Sequence, residues 1–595
     1  MKIKQIGDYN GNIVETVLEN RSINDYELLL NPTDEDNTSA FDLKNIDKAI
    51  EVFLAHIIAK SKIGLVVDAD ADGITSSSIM YQYIKEVNPE SPITPFFHER
   101  KAHGLTEQIM NEISKTEIDL LIVPDAGSND LRNIELLKAM EIDVLIIDHH
   151  EVEEETEFGV LINNQLSDNT KTNRNLVGAG MVLRFCEAVD SLLHQPKSSK
   201  FYDLAAIGQI GDGSDISQNE VRNMVFKGLN NIQNDFVKVV LLDMFGTLED
   251  IAPKNLSFSV IPLINSVVRV GTMEEKESLF NAINYINCED TITVVKRKKN
   301  KATGKFDKFD VDQTYFEFVY DLCKKIKGRQ KTKTDKVLGL INESIDNTGG
   351  IAIGILDTTE YAPITGLIAT KISSKFQKPT LLLQKSKKIF DHNGKEKTEV
   401  TYFGSGRGNE KVLKSLKDWC NNTGLVEFAQ GHANAFGISI KEENFDEFRE
   451  KTKNVESEEF VYEVDVLLSE FPDKELIMNV VDNTYVFGGK VSEPLIAFTN
   501  VKVNKRFINQ RGSMLKFFDR GVEFVMYGAP SGLYESLTNN FDEFIEMDFV
   551  GRASSNSWGG KTTAQLILDD CERSSSPIQE PKIEGIEITA ETLVF

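Results

Sequence analysis

Three apolar runs in the first quarter of the chain share one pattern: a buried-strand stretch that ends in acid. Gly64-Leu-Val-Val67 runs into Asp68, Asp70 and Asp72; residues 118–124 run into Asp125; Val144-Leu-Ile-Ile147 runs into Asp148-His149-His150. Helical stretches are expected near 46–60, from 76 to 87 beginning at the serine run, and through most of 176–235. Strands alternating with helices predict an open α/β sheet. Residues 236–340 read as a mainly helical connector. A second α/β unit follows over 341–455, with strands near Gly350–Ile355 and Pro379–Leu383, a helix between them, and alternation at Gly437-Ile-Ser-Ile440. Beyond 456, Tyr462-Glu-Val-Asp-Val-Leu467 and Val522-Glu-Phe-Val-Met-Tyr527 alternate with period two, which predicts a small β-barrel over 456–572. Residues 1–45 read as a polar, weakly ordered lead-in and 573–595 as an acidic flexible tail. The expected fold class is α/β: two α/β domains (46–235 and 341–455), a helical connector and a small β-barrel.

The acids change the picture from architecture to chemistry. If the first strand continues through Asp68, Asp70 and Asp72, its period of two places all three carboxylates on one face at its C-terminal end. That end is where open α/β sheets bind ligands. The plainer reading is an Asp-rich turn capping the next helix. Asp125, Asp148-His149-His150 and Asp212, which sits between glycines, add three further segments. Parallel strands would bring these ends side by side. Crowded carboxylates repel and call for a cation, and hard divalent metals take oxygen ligands.

In this order the motifs resemble the DHH phosphoesterases, and within them the RecJ single-strand exonucleases. The resemblance continues at Pro262-Leu-Ile-Asn265-Ser-Val-Val-Arg269, at Gly404-Ser-Gly-Arg407 and Gly431-His432-Ala-Asn-Ala-Phe-Gly437 (similar to the DHHA1 domain), and at Phe487-Gly-Gly with Glu493-Pro494 and Trp558-Gly-Gly with Gln565-Leu566 (similar to the RecJ OB-fold domain). It spans roughly residues 50 to 570. Three departures stand out: Val66-Val67 where a His usually precedes the first Asp motif, Asp125-Ala126-Gly127 for the usual Asp-Asn-Gly, and Pro363-Ile-Thr-Gly366 where a His usually opens the DHHA1 motif.

The resemblance implies two divalent ions, Mn²⁺ or Mg²⁺, about 3.5–4 Å apart. Asp70, Asp72, Asp125, His149 and Asp212 would be ligands, with Asp125 bridging; Asp68 and Asp148 would orient them by hydrogen bonds. His150, Asp125 and His149 would carry catalysis, with His150 facing the scissile phosphate. Arg269, Ser405 and Arg407 would bind a 5′-terminal phosphate, His432 would line the opposite wall, and Arg100 would touch phosphate near His103-Gly104-Leu105. The implied activity is 5′→3′ hydrolysis of single-stranded DNA to mononucleotides, in repair, recombination or replication. A short-oligonucleotide or cyclic-dinucleotide phosphodiesterase and a non-catalytic replication scaffold are the alternatives.

Composition bounds these readings. The 595 residues exceed one core, and 41% hydrophobic with 27% charged residues describes an ordinary globular protein. No stretch has the length of a membrane span and the N-terminus lacks a signal-peptide core, so a cytoplasmic, membrane-free monomer is expected. Five scattered cysteines suggest reduced, buried thiols. The net charge of −27 runs against a nucleic-acid partner. Against it stand the basic runs Lys296-Arg-Lys-Lys299, Lys301, Lys305 and Lys324–Lys333, read either as a solvated face or as a groove for single-stranded DNA, RNA or short oligonucleotides. Phe507, Phe517, Phe518 and Trp558 are candidates for base stacking, and the tail for docking a replication or repair protein.

Overall fold

The computed structural model describes all residues except 24–25, 36, 100–101, 167–170, 289–290, 300–305, 342–344, 393–394, 456–459, 488–490, 531, 540–541, 559–560 and 575–595. Arg100, Lys301, Lys305, Gly488-Gly489, Gly559-Gly560 and nearly all of the C-terminal tail therefore lie outside the described residues. The chain divides into two compact units, one of residues 23–460 with 483–493, the other of 1–22, 461–482 and 494–595. No described helix is long and apolar enough to cross a membrane.

The larger unit opens with helix α1 (Ile46–Ala59), which delivers the chain into strand β1 (Ile63–Val67). Strands β2 (Ile93–Phe97), β3 (Leu120–Pro124), β4 (Asp143–Asp148) and β5 (Val160–Asn163) join it in a parallel sheet of order β2-β1-β3-β4-β5. Both faces are covered, as the unbroken apolar runs require. Leu65, Ile122 and Ile147 point into a core shared with Ile79 and Val182, while Val66, Val123 and Ile146 pack on Ile109, Ile134 and Leu137. The register pairs Val67 with Phe97 and Pro124 with Ile147, so the residues after β1, β2, β3 and β4 emerge along one edge.

The first strand does not run through its aspartates. It stops at Val67, and helix α2 (Ala71–Val87) begins at once with Asp70 as its N-cap, accepting from the Gly73 N–H at 3.0 Å. The capping geometry prevails because Asp at this position satisfies an otherwise orphaned helical N–H. The helix thus starts five residues before the expected Ser76; Ser76 and Ser77 bond back to the Gly73 carbonyl and lie buried inside it.

Helices α3 (Gly178–Leu193) and α4 (Tyr202–Gly211) pack on α2. Helices α5 (Val260–Val270), α6 (Met273–Ile283) and the 27-residue α7 (Tyr315–Ile341) follow. Between α6 and α7 the basic run forms a two-stranded antiparallel hairpin, β6 (Ile292–Lys299) and β7 (Phe306–Gln313). A second sheet has order β11-β12-β10-β9-β8, built from β8 (Ala352–Leu356), β9 (Thr380–His392), β10 (Lys395–Arg407), β11 (Phe428–His432) and β12 (Ala435–Lys441). Only β8 and β9 are parallel, with helix α8 (Thr365–Phe376) as the crossover.

In the smaller unit, Lys2–Gln5, expected in a weakly ordered lead-in, forms a strand paired parallel with Val461–Val464. The expected barrel is not closed. Seven strands form one mixed sheet whose terminal members, Val466–Leu468 and Asn509–Arg511, lie at opposite ends of the order. Helix Lys474–Asp482 packs on the long strands Phe544–Trp558 and Lys561–Arg573. Period-two alternation reports one buried face, and a helix covers that face as well as barrel closure does. Of the stacking candidates, Phe517 is core, 1% exposed and stacked on Phe524 at 4.3 Å. Phe518, next in the strand, points outward, and Phe507 is also exposed. The Trp558 side chain is outside the described part.

Candidate metal centre

Every strand end along the shared edge of the first sheet contributes a polar side chain. After β1, Asp68 is buried and accepts from the Gly104 N–H at 3.0 Å; its other oxygen meets Nδ1 of His103 at 2.5 Å. After β2, His98 brings Nε2 to 3.5 Å from Asp68. Burial pushes the Asp68 carboxyl up, but the hydrogen bonds of His103 and His98 outweigh it and hold the group down at about 2. Asp68 is therefore a carboxylate.

Asp72 lies in the first turn of α2 with both oxygens engaged by the N-terminus of α3: Gly178 N–H donates at 2.7 Å and Ala179 N–H at 2.9 Å. A helix N-terminus suits a carboxylate because its first N–H groups lack partners. Gly208 of α4 makes the room, since a Cβ there would stand 2.3 Å from Asp72 Oδ1. Burial, then Asp212 and Asp70, still push the Asp72 carboxyl up to about 8.

Asp125 follows β3 in the left-handed region, φ +63°, with its N–H on the Ile147 carbonyl at 2.8 Å. That turn, sparsely populated for residues with a Cβ but tolerated by Asp, aims the side chain across the sheet edge. Burial and then Asp72 and Asp70 raise its carboxyl well above the usual range. Asp148 closes β4 and accepts from the N–H groups of His149 and His150, from Ser128 N–H, and from Nδ1 of His150 at 2.8 Å. His149 points inward: Nε2 is 3.1 Å from Asp125 and 3.9 Å from both Asp72 and Asp212. Burial, and then His150, lower its pKa to about 4, so the ring is neutral and carries a lone pair. His150 is half exposed and held by Asp148, which raises its pKa to about 9. Asp212 caps the C-terminus of α4, and burial with Asp70 raises it to about 6 against His150, His432 and His103.

These groups fit a divalent cation. Asp125 Oδ1 is buried without a hydrogen-bond partner although His149 Nε2 is 3.1 Å away. Asp72, Asp125 and Asp212 are all pushed up, the behaviour of carboxylates that cannot ionise together without a positive charge between them. Among the described residues, two sets each bring their own donor atoms within 4.8 Å of one another: Asp125-Asp148-His149-His150, and Asp68-Asp70-His103. The second set includes His103, whose place in the sequence marks it only as a loop residue. His98 is absent from the candidates of the sequence; its signal was Phe96-Phe97-His98 at the end of another strand of the same sheet.

The phosphate-binding candidates fall partly together. Arg269, in the last turn of α5, has its pKa lowered by burial and raised by Asp70; Arg407 has its own lowered by burial and by Arg269. The two guanidiniums thus share a neighbourhood beside the acidic cluster. Ser405 and Arg407, two apart on β10, meet the start of α8: Ser405 Oγ is 2.9 Å from Thr365 Oγ1, and a Cβ on Gly366 would touch Arg407. The Ser405 hydroxyl is thereby already engaged. His432 ends β11, exposed, and acts on Asp212.

Residues 62–209 match the model of the DHH family, N-terminal domain. The protein named "Putative SPbeta prophage-derived single-strand DNA-specific exonuclease YorK" of Bacillus subtilis (strain 168) is 31% identical over 600 residues, covering 96% of this chain and 98% of the relative. The chain belongs to the DHH family. Within it this protein is RecJ-like: it is 22% identical to the single-stranded-DNA-specific exonuclease RecJ of Bacillus subtilis over 91% of the chain, which spans 65% of that longer relative. The crystal structure of RecJ in complex with Mn²⁺ from Thermus thermophilus shares its fold, with a TM-score of 0.68 at 17% identity, over 97% of this chain and 79% of that one. It is thus a DHH phosphoesterase carrying a candidate divalent-metal centre.

Proposed function

We propose that this protein is a divalent-metal-dependent, single-strand-specific DNA exonuclease that works from the 5′ end and releases mononucleotides. The observation that carries the reading is the meeting of two opposite charge clusters: the Asp70, Asp72, Asp125, His149 and Asp212 donor set, and the guanidinium of Arg269 beside Asp70 with that of Arg407 next to it. Donors for cations next to forks for phosphate oxygens suit phosphodiester hydrolysis. The names of the YorK and RecJ relatives point to the same substrate.

Mn²⁺ or Mg²⁺ held by these donors would supply charge neutralisation and an activated water. Asp68 and Asp148 fix the donors, Asp148 by orienting His150 and the His149 N–H. His150, with one ring nitrogen tied to Asp148, keeps the other for a phosphate oxygen and donates to charge developing in the transition state. Water oxygen bonds to phosphorus, the bond to the 3′ oxygen of the leaving nucleotide breaks, and that oxygen takes a proton. Arg269 and Arg407 hold the terminal phosphate and set which bond is cut.

The test is digestion of end-labelled oligonucleotides in Mn²⁺ and in EDTA, single-stranded or duplex, with and without a 5′ phosphate. Metal-dependent loss of single strand from the 5′ end is expected. Cleavage confined to two to five nucleotides would replace this reading with a short-oligonucleotide phosphodiesterase, and binding without cleavage with a scaffold.

A further inference from the structure

Between residues 292 and 341 this acidic chain carries fourteen Lys and Arg against six Asp and Glu. Four of those cations, Lys296, Arg297, Lys324 and Lys325, line a cleft. Among the described residues the β6–β7 hairpin pairs with no other strand, and an isolated two-stranded ribbon needs something to pack on. It is tied to α7 through Asp321, which receives Gln313 Nε2 at 3.0 Å and Lys296 Nζ at 3.0 Å. Between hairpin and helix lies a cleft of about 550 Å³ lined by Val294, Lys296, Arg297, Phe318, Lys324 and Lys325 among others. Asp321 is its one acidic wall residue and is neutralised by Lys296 and Lys324, the latter at 2.9 Å. Among the described residues, Arg297 and Lys325 have no ion-pair partner, so positive charge is left over.

The same hairpin exposes apolar surface. Val295 is 63% and Phe306 64% exposed, and Phe309 is exposed directly across from Lys296. A cation and an aromatic face side by side match one ligand chemistry, a phosphate backbone whose bases are free to stack. A duplex hides those bases, and an acidic peptide offers nothing to the rings. The cleft is also joined to the centre by packed helices. Helix α7 lies against α5, which carries Arg269, and Arg329 of α7 is paired with Glu275 of α6 at 3.0 Å.

We propose that the cleft between the β6–β7 hairpin and α7 is a second binding site for single-stranded nucleic acid, which grips the strand away from the bond being cut. The proposal rests on the exonuclease reading and adds where the rest of the strand is held. Its role is to keep a long strand bound between cleavages, through phosphate contacts from Arg297 and Lys325 and stacking on Phe318, the aromatic ring that lines the cleft.

The experiment is a fluorescence titration of the full chain in EDTA with 6- and 30-nucleotide single strands across a salt series. Wild type is expected to bind the 30-mer more tightly. Arg297→Glu with Lys325→Glu should weaken the 30-mer at least tenfold and reduce the log–log salt slope by about 1.4, the loss of two phosphate contacts. Lys325→Arg should keep both. Cross-linking of wild type to an iododeoxyuridine 30-mer should label the hairpin or Phe318 and needs no variant to fold. Unchanged affinity and slope in the double variant, cross-links elsewhere only, or poly-glutamate competing as well as DNA would each overturn the cleft proposal alone. Failure of wild type to bind any single strand would overturn the exonuclease reading itself.

Discussion

His98 Nε2 lies 3.5 Å from Asp68 Oδ1, two buried residues from neighbouring parallel strands, Phe97 pairing with Val67 one position earlier. The chain has Val66-Val67 where the resemblance leads one to expect a histidine before the first Asp motif, and an imidazole reaches that motif from the adjacent strand. His98→Ala should weaken Mn²⁺ binding and activity about 10- to 100-fold, the usual cost of losing a partner that orients ligands. Titrating thermal stabilisation against Mn²⁺ checks it; an unchanged midpoint would make His98 mere packing.

Asp125→Asn should abolish metal-dependent cleavage while making the metal-free protein more stable. The substitution keeps size and tolerates φ +63°, but removes a carboxyl that Asp72 and Asp70 repel. Thermal melts in EDTA and in Mn²⁺ should cross: the variant melts higher without metal and gains nothing from it.

Metal-free stability should fall as pH rises from 6.5 to 9. Asp72, raised from 3.8 to about 8, and His150, raised from 6.5 to about 9, hold protons in the folded state that the unfolded chain has released, so both contributions are lost as pH climbs through those values. His149, lowered to about 4, acts oppositely but only below 6.5. Melting temperature in EDTA should therefore decline over this range. The decline should shrink in Asp72→Asn and flatten in Mn²⁺.

Two glycines should respond in opposite directions. Gly208→Ala would drive a methyl to 2.3 Å from Asp72, costing about 1–3 kcal/mol and abolishing metal-induced stabilisation. Gly328→Ala, in the interior of α7 with nothing within 4 Å, should instead stabilise by about 0.5–1 kcal/mol. Calorimetry of the two variants separates a glycine required by the site from one that is not.

Arg269→Ala should erase any preference for 5′-phosphorylated over 5′-hydroxyl strands, raising KM for the former at least tenfold and leaving the latter nearly unchanged. Initial rates on the two substrates measure it; an equal loss on both would place Arg269 at the scissile phosphate.

The catalytic sheet was legible because parallel strands buried on both faces leave unbroken apolar runs, and because each of three ends in acid. Asp125 and His149 could be brought together from sequence by strand order alone. The course of the chain through Asp68, Asp70 and Asp72 could not: a capping Asp70 and a strand running through Asp70 demand the same residues, and only the Gly73 N–H decides between the two. His98 escaped because its meaning depends on register with β1, which is a pairing across thirty residues. Closure of the C-terminal sheet was not legible, because Val522–Met526 are all buried and burial on both faces does not say whether a barrel or a helix covers them.

Asp72 rests on the N–H groups of Gly178 and Ala179, more than a hundred residues downstream, and on space left by Gly208. A ribosome-bound chain that has just exposed His150 already displays every DHH residue, yet has neither the donors that seat Asp72 nor Asp212. Translation thus imposes an order on the protein: the acidic strand ends are made first and the helices that seat them later, so the acidic cluster at the sheet edge is complete only once the chain has grown past residue 212.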